Sequence, residues 1–235
     1  MQTDEEKNLA KIRKVLRKKL QAYFKETLEP LGFVNRPRSS LWKRDTQTLL
    51  QSCSYGFPRD YYVRISFGYQ FVPSFECWNT IPQDSQTQKR FELFRNELTE
   101  LWQVTRSYLE HKDWDVPATF DEIDNLLDEI NVYFTQEILT FLEKYQQSSD
   151  LLSEYNAGNI GDKYISDTGE PWFSFKLAFL RYQEGKYAET LELFQKYLLS
   201  IEEDRKRDES WEMLASGVEL AVDSLKKRLN QNDGN

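Results

Sequence analysis

Leu9, Ile12, Leu16, Leu20, Phe24 and Leu28 recur at steps of three and four, so one stripe of a helix is apolar while lysines and arginines fill the rest. Thr3-Asp4-Glu5-Glu6 supplies a capping box at its start, and Pro30-Leu31-Gly32 a stop. The period then changes from helical to alternating. Leu41-Trp42-Lys43, Thr48 to Tyr55 and Tyr61 to Phe71 are rich in aromatic and β-branched residues, and turn-prone Arg36-Pro37-Arg38, Arg44-Asp45 and Gly56-Phe57-Pro58 divide them. In the last run Tyr61, Val63, Ile65, Phe67, Tyr69 and Phe71 share one face, and Tyr62, Arg64, Ser66, Gly68 and Gln70 the other. The pattern predicts an antiparallel sheet with one buried face.

Residues 73–90 break every period and read as a loop. Phe91, Phe94, Leu98, Leu101, Thr105 and Tyr108 fit a helix, although Trp102 to Thr105 also suits a strand. Thr119-Phe120-Asp121-Glu122 is a second capping box. It opens a helix with Ile123, Leu126, Leu127 and Ile130 inward, and a further helix through about Tyr145 carries Phe134, Ile138, Phe141 and Leu142. Residues 156–170 hold three of the nine glycines and mark the expected boundary between an α+β domain, 1–156, and a helical segment, 157–235. The tail from Asn230 to Asn235 is polar and expected to fray.

From Pro171 the chain resembles a tetratricopeptide repeat, over about residues 171–229. Leu177-Ala178 sit where such a repeat pairs a large with a small residue, Gly185-Lys186-Tyr187 matches its turn, and Thr190, Leu191 and Phe194 its second packing face. Arg181, Tyr197 and Glu202 depart from the pattern, and Trp211 to Ala215 looks like the opening of a second copy. The resemblance implies a helical hairpin with a capping helix, able to bind a partner protein. In front of it, an amphipathic helix leads into Leu31-Gly32-Phe33 and the strand Leu41-Trp42-Lys43-Arg44. A sheet and an acidic helix ending in Phe141-Leu142-Glu143-Lys144 follow. That order, over about residues 9–155, resembles a family of bacterial α+β domains of unknown function. The likeness implies a bacterial source and a non-enzymatic role. The expected fold class is therefore α+β: an antiparallel sheet flanked by helices, followed by an all-helical tetratricopeptide-like hairpin.

Composition adds that the chain is globular, with 39% hydrophobic, 14% aromatic and 30% charged residues. No apolar stretch reaches the 18 or so residues of a membrane span, and the polar, acidic start offers no leader, so a cytoplasmic protein is expected. Cys53 and Cys77, both in β-like sequence, then read as reduced core thiols. Charge is uneven: residues 1–60 carry 13 Lys+Arg against 7 Asp+Glu, and residues 61–235 carry 18 against 32.

Candidate chemistry is sparse. Asp167-Thr168-Gly169 has the aspartic-protease triplet but occurs once and leads into a helix. His111, the one histidine, reads as part of an exposed turn with Lys112 and Asp113. Asp121, Glu122, Asp124, Asp128 and Glu129 crowd one helix and support either a solvated face or a carboxylate-dependent hydrolase, with or without a divalent ion. The sequence calls for no cofactor or metal. The leading expectation is a non-catalytic protein-binding module, with an immunity- or antitoxin-type role suggested by its acidity. Its partner surface is expected to include Tyr62, Arg64, Trp172, Phe175, Arg181 and Tyr182. The alternative is nucleic-acid binding through Lys7, Lys11, Lys14 and Lys18, flanked by Arg13, Arg17 and Lys19, together with the outward sheet face of Tyr62, Arg64 and Lys43. The excess negative charge elsewhere weighs against it.

Overall fold

A computed structural model describes residues 4–35, 39–59, 61–71, 89, 92, 108–166 and 168–232. Thr3 of the first capping box, the segment expected as a loop and then a helix between 73 and 107 apart from residues 89 and 92, Cys77 and Asp167 lie outside them.

The chain begins with α1 (Asp4–Leu28), a three-residue 3₁₀ turn (Glu29–Leu31) and β1 (Val34–Asn35). Strands β2 (Leu41–Asp45), β3 (Leu49–Gly56), β4 (Tyr62–Phe71) and β5 (Tyr108–Asp115) complete one antiparallel sheet in the order β1-β2-β3-β4-β5. In its first hairpin Trp42 faces Cys53 and Arg44 faces Gln51. The helical part comprises α2 (Glu122–Tyr133), a π segment (Phe134–Leu139) that continues directly into α3 (Thr140–Lys144), α4 (Ser148–Asn156), α5 (Trp172–Gln183), α6 (Tyr187–Ser200), the short α7 (Glu202–Arg205) and α8 (Glu209–Asn232). The expected α+β class holds.

Contacts divide the chain into two compact units, residues 1–69 with 109–147 and residues 70–108 with 148–235. The division in the second half therefore falls before α4 rather than in the glycine-bearing loop after it.

In the first unit the α1 stripe is the core. Ile12, Leu16, Leu20, Phe24 and Leu28 are fully buried, against Val63, Ile65 and Phe67 of the sheet and Ile130, Phe134 and Ile138 of the long helix. Burying each such side chain contributes about 2 kcal/mol. Phe24 meets Tyr23, Tyr55 and Phe134 edge to face. The alternation expected in β4 is observed from Val63 onward except at Gly68, which is buried, whereas Tyr61 precedes the strand and is 64% exposed. Cys53 is buried as a free thiol, and burial pushes its pKa up. Glu122 completes half of the expected second capping box, its Oε2 accepting from the N–H groups of Ala118 and Thr119.

Three expectations are corrected. Tyr108 opens a strand instead of closing a helix, and His111 lies within β5 instead of in a turn. This strand exposes Glu110 to Asp113 at least partly, so it carries none of the apolar alternation by which β4 is recognised. The tail was expected to fray from Asn230, but α8 continues to Asn232.

In the second unit α5 and α6 form a helical hairpin whose turn requires glycine at Gly185, φ 76°. Phe175 and Phe179 of α5 meet Phe194 of α6, with Ala178 and Thr190 buried as well, and α8 packs on α6, its Val218, Ala221 and Val222 buried. Tyr197 is also fully buried there, yet its hydroxyl has no hydrogen-bond partner among the described residues. A hydroxyl desolvated without a bond costs about 1–3 kcal/mol. Tyr197→Phe is accordingly expected to raise the stability of the protein by about 1 kcal/mol, read from its denaturant midpoint. A lowered midpoint would show that the hydroxyl is satisfied by something held in the core.

Candidate functional site

The basic residues of α1 divide between two environments. Lys19 turns toward α2 and pairs with Asp124, while Tyr23 beside it donates to Asn131 at 2.9 Å. Lys14, Arg17, Lys18 and Lys25 turn the other way. They form one wall of a groove of about 740 Å³, with Gln21 and Ala22 between them. Lys7 and Lys11 are exposed toward the start of the same helix but do not line the groove.

The opposite wall comes from the β2–β3 hairpin and what flanks it: Ser39 and Ser40, then Tyr55, Gly56 and Phe57. The hairpin is held shut at this end, since the Tyr55 N–H donates to the Ser40 carbonyl at 3.2 Å and the Leu41 N–H to Ser39 Oγ at 3.0 Å. Ser39 Oγ, having accepted that bond, keeps its O–H as a donor. Tyr55 donates its hydroxyl to Gln21 Oε1 at 2.7 Å, which fixes the amide and leaves its N–H groups as donors too. Burial raises the Tyr55 pKa against the opposing effect of Arg17, so the phenol stays neutral. Phe57 lies under the guanidinium groups of Arg13 and Arg17, 5.4 and 5.3 Å from its centroid.

The groove therefore presents cations and donors. Lys14, Arg17, Lys18 and Lys25 make no ion pair among the described residues, and no carboxylate, imidazole or thiol is part of the lining. Unpaired cations facing one concavity attract an anion. The described lining has no group suited to accept a proton from a reacting one near neutral pH.

The outward sheet face is different. Arg64 forms a bidentate pair with Asp113, both N···O distances 2.7 Å, and this bond holds the Asp113 carboxyl below its ordinary range. Tyr62 is 39% exposed but borders a second cleft, of about 780 Å³, lined also by Asp113, Asp115, Glu122 and Glu129. The face expected to attract phosphates is thus neutralised at its arginine and acidic beyond it. Among the described residues no group of three potential ligands is placed to hold a metal ion.

The hairpin residues expected at a partner surface are also redistributed. Phe175 is fully buried against Phe179, Phe194 and Tyr197. Arg181 is 9% exposed and acts inside the unit, bonding Glu184 at 2.7 Å, Asn156 at 2.7 Å and Glu189 at 3.2 Å. Both face inward because α5 is covered on most of its circumference, a burial that one hairpin's resemblance does not reveal. Trp172 is half-buried beside Trp211, and Tyr182 is half-buried against Tyr187 and the Arg228 guanidinium. The sequence pointed to Lys14 and Lys18, with Arg17 beside them. It did not reveal Gln21, Ser39, Ser40 or Lys25 as their companions, since the second wall depends on the hairpin folding back on α1. No family model, curated protein or solved structure matches the chain.

Proposed function

We propose that this chain is a non-catalytic binding protein whose groove between α1 and the β2–β3 hairpin receives an acidic part of a partner protein. The observation that supports the reading is the cluster of four cations without ion-pair partners among the described residues, set around donors and without a catalytic base. Several surface cations elsewhere in the molecule are matched internally: Lys196 by Glu170, Lys206 by Glu203, and Arg205 by Glu212 and Glu219. Charges left unmatched in a concave site contribute to partner choice and association rate. An immunity- or antitoxin-type role, suggested by the overall acidity, would here act through the basic groove on an acidic segment of the captured partner.

The test is affinity capture from the organism that makes the protein, with wild type and Lys14→Glu/Lys18→Glu side by side. A stoichiometric partner held by wild type at about 50 mM salt, weakened at about 500 mM and lost on the double variant, is expected. A partner held equally by both proteins would remove the groove from the account. Nucleic acid in place of protein would replace the reading with the alternative.

A further inference from the structure

We infer that the ligand of the groove is a single extended peptide strand with acidic residues at alternate positions. This rests on the binding role proposed above and adds what the bound segment is.

The first argument is spacing. At about 1.5 Å per residue, Lys14 and Lys18 stand about 6 Å apart along α1, and Lys25 about 16 Å from Lys14. Side chains on one face of an extended strand recur about every 6.7 Å. Carboxylates at alternate positions of an extended strand therefore match Lys14 and Lys18, and a strand of about six or seven residues is long enough to reach on to Lys25. A lone phosphate reaches only one end of the array.

The second argument is the state of the rings. Single-stranded nucleic acid is held by bases stacking on exposed aromatic faces. Tyr55 is 5% exposed and pinned to Gln21, and Phe57 lies beneath Arg13 and Arg17. Neither offers an open platform.

The third argument is width. Lys19, on the neighbouring face of α1, is already paired with Asp124, and α2 behind it also bears Asp128 and Glu129. The cations free to meet a ligand are thus confined to the one face of α1 that lines the groove, a width that suits a single strand. The Ser39 hydroxyl and Gln21 amide, both donors, suit the backbone carbonyls of such a strand.

The experiment is calorimetric titration of the full chain with Glu-Ser-Glu-Ser-Glu-Ser-Glu, with a peptide of the same composition in blocks, with an oligo-dT of about twelve nucleotides and with pyrophosphate. The alternating peptide is expected to bind about tenfold more tightly than the block peptide. It is expected to lose about thirtyfold in affinity on Lys14→Glu/Lys18→Glu and to be unaffected by Lys226→Glu/Lys227→Glu on α8. Equal affinity for the two peptides, tighter binding of oligo-dT, or binding of pyrophosphate at the peptide's affinity would each overturn the inference. So would absence of peptide binding at low salt. If that absence accompanied a protein partner still lost on the Lys14→Glu/Lys18→Glu variant, the peptide would be wrong and the binding role would stand.

Discussion

Gln51→Met is expected to lower the unfolding free energy by about 2–4 kcal/mol, although the substitution conserves volume and puts an apolar side chain into an apolar sheet. Gln51 is fully buried on β3, and its amide nitrogen donates to the carbonyls of Leu142 and Tyr145 at 2.9 and 2.6 Å. These carbonyls end the long helix and have no further turn to accept from. Its Oε1 accepts from Arg44 Nε at 2.8 Å, and Arg44 reaches on to the carbonyls of Leu31 at 3.0 Å and Leu142 at 3.3 Å. One pair of side chains thus ties the end of α1, the sheet and the end of α3 together. Burial lowers the Arg44 pKa, partly offset by Glu143. Methionine leaves the helix-end carbonyls and the guanidinium without these partners, and each such loss costs about 1–3 kcal/mol. Gln51→Glu separates the contributions, since it keeps an acceptor for Arg44 but sets oxygen against two carbonyls. Urea unfolding followed by tryptophan fluorescence reads both variants. A loss below about 1 kcal/mol for both would show that the network is dispensable.

Arg181→Ala is expected to destabilise the second unit by about 2–3 kcal/mol. Its guanidinium joins Glu184 at the end of α5, Glu189 on α6 and Asn156 at the end of α4. Removal strands the Glu184 carboxylate, which the arginine and Lys186 together hold below its ordinary pKa against the upward effect of partial burial. A group whose folded pKa is depressed contributes stability that is present above its unfolded pKa and lost as pH falls through the folded one. The penalty of Arg181→Ala should therefore shrink in the acid range, where Glu184 is protonated in both proteins. Stability of wild type and variant measured at neutral and acid pH gives the result. A penalty unchanged with pH would assign it to packing of the arginine stem instead.

These two residues also mark where sequence reading stops. Helix α1 and strand β4 were legible because a single period, about 3.6 or 2, carries their burial. The α5–α6 turn was legible because Gly185 needs a left-handed backbone. Gln51, between Leu50 and Ser52, has no local signal: the carbonyls it donates to lie about ninety residues away and appear only when the helix end reaches the sheet. Arg181 looked like a departure from the tetratricopeptide pattern and a surface contact, but the two carboxylates and one amide that bond it come from three elements. Of the groove, the cations were readable as a stripe on α1. Which of them were committed to the protein's own acids was not, because Lys19 and Lys18 differ only in the face they occupy. The bidentate Arg64–Asp113 pair was hidden for the same reason, the two residues lying on different strands.

The central claim is that the partner lies in the groove against α1, and placing a photo-crosslinking amino acid at Ala22 tests it where the contact is expected. Ala22 lines the groove and is exposed, so the substitution disturbs little. Irradiated in the cells that make the protein, the Ala22 variant is predicted to yield one dominant protein adduct, absent when Lys14→Glu/Lys18→Glu is added. The same probe at Leu199, 73% exposed on α6, should give less of that adduct. An adduct with nucleic acid at Ala22, or a protein adduct formed at Leu199 and not at Ala22, would contradict the account.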